Sequence, residues 1–449
     1  MRGMTFNAEI ERRVMRFNTL DNWLSWQETL HPRAVELGLA RVRAVLRQLQ
    51  PESPSYLVIT VGGTNGKGSC VALLEAILRA AGYRVGAYSS PHLLRYNERI
   101  RIDGREADDL AICQAFARID DARNDCSLTY FEFGTLAALE LFHKAEVDIA
   151  ILEVGLGGRL DAVNILDADA ALVVSVAIDH VDWLGPDRES IAYEKAGIYR
   201  PGRPAICADP DPPARLLNYA ARLGADLRLV GRDYQFTRTG ETWRWWDRQV
   251  QFDDLPPPAL TGDHQLGNAA AVLATLVSLQ GRIPVRPDAI RIGLAAVRLA
   301  GRFQVFSGSV EWILDVAHNP HAAKRLASHL RERACDRQTL AVVGLLADKD
   351  ANGIIQAMTD VVDHWYPTTL GGLRGRTGAE LAALLQPLND RVTISDEVLA
   401  ACRSAQAAAN PGDRIVVFGS FHTVAPALAA QPWNSPIDPF MLEGGLTHG

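Results

Sequence analysis

One stretch limits the possible folds more than any other. Leu57–Val61 is a short, β-branched apolar run. It enters Gly62-Gly63-Thr64-Asn65-Gly66-Lys67-Gly68-Ser69, and a helical pattern then runs from Ser69 to Ala81 and stops at Gly82. Strand, glycine loop and helix in that order build an anion cradle. Glycines let backbone N–H groups curl round a phosphate, and the helix N-terminus adds partial positive charge. Lys67 can reach the β- and γ-phosphates, and Ser69 can approach a magnesium ion. The loop departs from G-x-x-x-x-G-K-[ST]: Gly68 holds the usual Ser/Thr place and the hydroxyl comes one residue later. The loop alone leaves kinase, GTPase, ATPase and ligase open.

Further apolar runs extend the pattern at 85–88, 148–154 (DIAILEV) and 171–178 (ALVVSVAI). Runs apolar on both faces suit a parallel sheet covered by helices. Alternation with helical segments predicts a doubly wound, mostly parallel α/β domain. From 227 to 261 the character changes. Trp243, Trp245, Trp246 and Pro256-Pro257-Pro258 predict a small antiparallel excursion whose tryptophans pack rather than bind. A helix is expected over 268–279. A second α/β set follows, with strands at 311–316, 340–345 and 415–418 and a helix at 322–331. We expect an N-terminal P-loop domain over 1–298 and a smaller, Rossmann-like α/β C-terminal domain over 299–449.

The chain has 449 residues and a net charge of −7, so it carries no general positive field for nucleic acid or an anionic membrane. The longest apolar run, 168–178, is broken by Asp169 and Ser175 and is too short to span a bilayer. Residues 1–16 lack a continuous apolar core, which argues against a secretory leader. Six cysteines without C-x-x-C spacing read as reduced thiols. A cytoplasmic, monomeric enzyme is expected.

Glu153 and His180 each follow an apolar run, near the carboxyl ends of the expected strands, where α/β sheets bind ligands. Glu153 could hold magnesium. His180, beside Asp179 and Asp182, could equally be a structural histidine, because magnesium prefers oxygen. Lys195 reads as a surface ion pair.

Taken together, VGGTNGKGS (61–69), YSSPHLLRYNERIRIDG (88–104), LTYFEFGTLAALELF (128–142), ILEVGLGGRLDAVNI (151–165), SVAIDHVDWLG (175–185), ESIAYEKAGI (189–198), GDHQLGNAAA (262–271), GRFQV (301–305), ILDVAHNPHAA (313–323) and VVFGSFHTVA (416–425) resemble the folylpolyglutamate synthase family of the Mur-ligase superfamily. The resemblance runs from about residue 30 to about residue 425.

It implies ATP-dependent ligation of L-glutamate to dihydropteroate and to tetrahydrofolate through an acyl phosphate. Thr64, Asn65, Gly66, Lys67, Gly68 and Ser69 would hold the phosphates of ATP. Asn268, Arg302, Asp315 and His318 would complete that site. Ser90, Glu153 and His180 would bind Mg2+, with two ions in all, and Lys195 would carry an N6-carboxyl group. Lys67, Lys195, Glu153 and His180 would be the catalytic set. Glu36, Leu37 and Gly38, Thr129, Tyr130, Phe131 and Glu132, and Leu160, Asp161 and Ala162 would hold the pteroate. Residue types alone give blander readings: Gly38 as a helix C-cap, Tyr130, Phe131 and Phe133 as core, Arg302 as a hinge ion pair, Asp315 as a helix N-cap. Lys349, Ser420 and His422 are candidates for the glutamate pocket, although each could be a cap or an ion pair. A monofunctional synthase, a cell-wall Mur ligase and a nucleotide-binding regulator are the rival readings. The 61 residues before Gly62 are too few for the separate UDP-binding domain of the cell-wall branch.

Overall fold

The computed structural model describes residues 15–50, 52, 54–335, 337–372 and 374–434. Most of the 1–16 segment read above for a leader lies outside them.

Among the described residues the strands form three sheets. The first contains β1 (Leu57–Gly62), β2 (Val85–Tyr88), β3 (Ile100–Ile102), β4 (Arg105–Glu106), β5 (Ile149–Glu153), β6 (Ala170–Val173), β7 (Pro204–Cys207) and β8 (Asp226–Leu229). Their spatial order is β4-β3-β2-β5-β1-β6-β7-β8. Neighbours from β2 to β8 are parallel, and β3 and β4 form an antiparallel edge. Every residue of β1 and β5 is buried. Alternation sends Ile59, Val61 and Ile151 to one core, with the helices Lys67–Ala80 and His264–Ser278, and Val58, Ala150 and Leu152 to the other, with the helix Tyr130–Lys144. Two covered faces explain why these strands lack polar alternation. From β1 the chain goes out to β2 on one side and later returns to β6 on the other. A crevice therefore opens at the carboxyl ends of β5, β1 and β6, where the glycine loop lies.

Only the first part of the apolar run at 171–178 is strand: β6 pairs with β1 only as far as Val173. Beyond it the chain turns to serve the glycine loop. Ser175 accepts from Asn65 N at 3.0 Å and from Thr64 N at 2.8 Å, and Thr64 Oγ1 donates to Ala177 O at 3.0 Å. These bonds satisfy a loop backbone that no sheet ladder could reach.

The antiparallel excursion is β9 (Tyr234–Thr239), β10 (Thr242–Asp247) and β11 (Gln251–Leu255). Trp243 and Trp245 are buried, and their indoles donate to Pro256 O at 2.9 Å and Ala270 O at 3.0 Å. They are packing residues with satisfied donors.

The C-terminal domain holds β12 (Gln304–Phe306), β13 (Glu311–Asp315), β14 (Thr339–Val343), β15 (His364–Pro367) and β16 (Arg414–Phe418). Their order is β12-β13-β16-β14-β15, parallel except for β12. The chain crosses between domains through Gly301 at φ 68° and Phe303 at φ 44°. Among the described residues no helix is long and apolar enough to cross a membrane.

Candidate active site

The glycine loop is close-fitting. Gly66 sits at φ 89°. A Cβ there would lie 2.8 Å from Val174 Cγ1 and 2.9 Å from Asn268 Oδ1, so the position admits only glycine. Lys67 opens the following helix, two residues earlier than the hydrophobic pattern suggests. Its ammonium donates to Gly63 O at 3.0 Å and Thr64 O at 3.2 Å, curling over the loop. Ser69 is buried, with its hydroxyl accepting from Gln265 Nε2 at 3.4 Å.

A cavity of about 200 Å³ lies over the loop, bounded by Lys67, Ser90, Glu153, His180, Lys195, Arg302, Asp315 and His318. Residues separated by more than 200 positions thus line one cavity. Glu153 ends β5, is buried, and accepts one hydrogen bond, from Ser90 N at 3.3 Å. Burial raises its pKa, and Lys67, that Ser90 bond and Arg302 pull it back down. His180 stands at φ 52° at the start of a short helix. Desolvation, together with Lys349, Lys67 and His318, lowers its pKa to about 4 against the pull of Asp179. The imidazole is therefore neutral near pH 7, the form that ligates metals.

Lys195 departs from the surface ion pair suggested by its neighbours. It is 3% exposed, and among the described residues its ammonium makes no hydrogen bond or salt bridge. Its helix, Arg188–Ala196, buries this side while Glu194 takes Arg159 at 2.9 Å. Desolvation, aided by Lys67, lowers the amine to about 7.

The C-terminal domain supplies the facing wall. Arg302 lies over the Phe421 ring at 5.2 Å. Asp315 accepts from Phe303 N and Ala317 N, both at 2.8 Å, which fixes its carboxylate beside the crossing. It is not the helix N-cap that its residue type suggests. Asn319 caps the helix Pro320–Glu332. Asn268 does not line the cavity. It backs Gly66 and donates to Gln265 Oε1 at 2.8 Å.

Asp179 was absent from the sequence-derived set, yet it is central. It accepts from Lys349 Nζ at 2.8 Å and from Asn319 Nδ2 at 3.1 Å, and His318 Nε2 lies 3.7 Å away. The His318 contact, His180 and Lys349 hold its carboxyl well below the usual range despite burial. The only sequence signal was an acid beside a candidate ligand.

The three segments expected to hold pteroate come together. Gly38 N donates to Leu160 O at 3.2 Å, and Arg41 bridges Glu36 to Glu132, the latter at 2.9 Å. Glu36–Gly38 lies in a loop beyond the helix Leu20–Leu30, so Gly38 is no C-cap. Thr129 and Glu132 cap the helix Tyr130–Lys144 reciprocally. Phe133 is buried core, while Tyr130 and Phe131 stay partly exposed. Asp161 is buried and bonds Leu156 N at 2.8 Å, and burial raises its carboxyl to about 7.

Of these residues, Tyr130 borders a second cavity of about 970 Å³, together with Arg99, Lys349, Arg374, Ser420 and His422. The two cavities share Pro91, Gly155, His180, His318 and Phe421. All three glutamate-pocket candidates therefore face a space that adjoins the phosphate loop.

Comparison with known proteins matches this geometry to a family. The Mur ligase middle domain matches residues 61–276, and the Mur ligase glutamate ligase domain matches 301–421. The dihydrofolate synthase/folylpolyglutamate synthase of Escherichia coli K12 is 46% identical over 416 residues, covering 93% of this chain and 96% of that protein. The chain belongs to the dihydrofolate synthase/folylpolyglutamate synthase family of Mur ligases. Solved members of the family share its fold. E. coli FolC in complex with DHPP and ADP is 46% identical and covers 93% of this chain and 99% of that one, with a TM-score of 0.89. A bifunctional member with Mn, AMPPNP and L-glutamate bound is 47% identical and covers 92% and 98%, with a TM-score of 0.86.

Family membership implies a divalent metal. Among the described residues no three His, Cys, Asp or Glu side chains gather closely enough to hold one unaided. The donors present are the singly bonded Glu153 carboxylate, the neutral His180 and the Ser90 hydroxyl. That set fits a hard cation completed by nucleotide oxygens and water.

Proposed function

We propose that the protein ligates L-glutamate to dihydropteroate, forming dihydrofolate, and to tetrahydrofolate, forming its polyglutamates, with ATP cleaved to ADP and phosphate. One observation carries this reading. A phosphate cradle and a larger chamber meet at His180, His318 and Phe421, so a γ-phosphate and an acceptor carboxylate can be brought into contact there.

Carboxylate is a poor electrophile and must be activated. A pteroate oxygen attacks the γ-phosphorus, ADP leaves, and an acyl phosphate results. The glutamate amine then attacks the acyl carbon, and phosphate departs with that oxygen. Lys67 neutralises charge on the phosphoryl group, and the loop N–H groups hold it. Thr64 to Ser69, Arg302, Asp315 and His318 bind and orient ATP, with Asn268 supporting the loop from behind. Ser90, Glu153 and His180 would hold Mg2+, in a site with two ions, and bound Mg2+ supplies Lewis-acid stabilisation of the phosphoryl oxygens. Lys195, its amine without a partner among the described residues and easily deprotonated, is suited to carboxylation. The resulting anion would orient a second cation or its waters. Glu36–Gly38, Thr129–Glu132 and Leu160–Ala162 form the pteroate cradle, and Lys349, Ser420 and His422 receive glutamate. The domains divide at 298/299, and their closure aligns the reactants, an effect that supplies on the order of 7–11 kcal/mol. The enzyme is a cytoplasmic monomer that binds neither nucleic acid nor membrane.

The test is phosphate release with ATP, Mg2+ and L-glutamate, comparing dihydropteroate with tetrahydrofolate. Glutamate-dependent release with both acceptors is expected. Release with tetrahydrofolate alone would make the enzyme monofunctional, and release with neither would exclude a ligase.

A further inference from the structure

Side chains of the phosphate loop and the second domain form an unbroken hydrogen-bonded chain. Asn319 Nδ2 donates to Asn65 Oδ1 at 3.1 Å and to Asp179 Oδ2 at 3.1 Å, and Asn65 Nδ2 returns a bond to Asn319 Oδ1 at 3.3 Å. Asp179 Oδ1 then accepts from Lys349 Nζ at 2.8 Å. Asn319 is 3% exposed and Lys349 9%. Asn65 and Asp179 lie in the N-terminal domain, Asn319 and Lys349 in the C-terminal domain. One end of the chain borders the phosphate cavity, and the other, Lys349, borders the second.

We infer that Asn319 and Asp179 are positioning residues that tie the phosphate loop to Lys349 and so present its ammonium to the α-carboxylate of incoming glutamate. The inference rests on the ligase reading above. Lysine carries rotamer freedom that a flexible stem would spend on binding, and a buried carboxylate partner removes that freedom beforehand. Among the described residues Asp179 is the only carboxylate within 3 Å of Lys349 Nζ, because Asp348 lies at 3.4 Å. The Asn65–Asn319 pair sets the distance between domains at that point, so engagement of the loop and placement of Lys349 become one event.

Two near-isosteric variants test this. Asn319→Asp keeps the acceptor that caps Ala322 N, at 2.9 Å, but loses both donors and sets like charges together. Asp179→Asn keeps the shape and removes the anion. Each should raise the KM for L-glutamate by about 10-fold or more, the scale of a lost charge-assisted bond, with the KM for Mg-ATP changed less than about threefold. The double variant Asp179→Asn/Asn319→Asp reverses donor and acceptor between the two positions and should recover part of the glutamate KM. Thermal unfolding of each variant identifies any that fail to fold, and the double variant still supplies the comparison. If wild type turns over and the variants keep its glutamate KM, or if only the Mg-ATP KM rises, the relay is overturned and the ligase reading stands. If wild type forms no glutamate adduct, the ligase reading itself fails.

Discussion

Lys195 offers the most quantitative prediction. An ordinary lysine titrates near 10.5, and this one is brought to about 7 by burial and by Lys67. At pH 7 an ordinary amine is neutral in about one molecule in 3000, and this amine in about half, so about 10³-fold more nucleophile faces dissolved CO2. Attack of the amine on CO2 forms a carbamate and releases one proton. The folded value lies below the unfolded one, so between about pH 7 and 10.5 the unfolded chain holds a proton that the folded chain has lost. The burial penalty is fully present below pH 7 and is relieved as pH rises through that window. It amounts to at most about 5 kcal/mol, less whatever water in the cavity screens. With CO2 stripped, Lys195→Met should therefore unfold at higher denaturant than wild type at pH 7 while losing turnover. With 13C-bicarbonate, wild type should show one carbamate resonance that the variant lacks. A less stable Lys195→Met protein, or equal labelling of both proteins, would refute the reasoning.

Other perturbations address the remaining walls of the site. Lys67→Ala should lower turnover by about 10²-fold or more in a phosphate-release assay, since a preorganised charge on the phosphoryl group is lost. Gly66→Ala forces a side chain into a left-handed residue, costing about 1–2 kcal/mol before its contacts with Val174 and Asn268, and calorimetry should find ADP affinity reduced at least about 10-fold. Arg41→Met unlinks Glu36 from Glu132, so the KM for dihydropteroate should rise several-fold with the KM for ATP unchanged. Chelation should abolish activity, and added Mg2+ should restore it.

The glycine loop and its flanking strand and helix were legible because they are local: backbone freedom, a β-branched run and a helix start lie within 25 consecutive residues. Strands β1 and β5 were legible because both faces are buried, which leaves a continuous apolar run. The same rule failed at 174–178. There the apolar residues leave the sheet to hold the phosphate loop, and the order of side chains is the same in either case. Lys195 was misread because Glu194 beside it satisfies Arg159 instead, a choice that depends on which helix face is buried. Asp179 and Asn319 escaped notice because their partners lie 170 and 254 residues from them in the chain. Neither residue type signals such a partner.

Oxygen transfer from pteroate tests the acyl-phosphate route most directly. Dihydropteroate labelled with 18O in its carboxylate is turned over with ATP and L-glutamate, and the released phosphate is analysed by mass. One 18O should appear in each phosphate, because the attacking carboxylate oxygen departs with phosphorus. Unlabelled phosphate, with the displaced 18O found in water or AMP instead, would contradict the account.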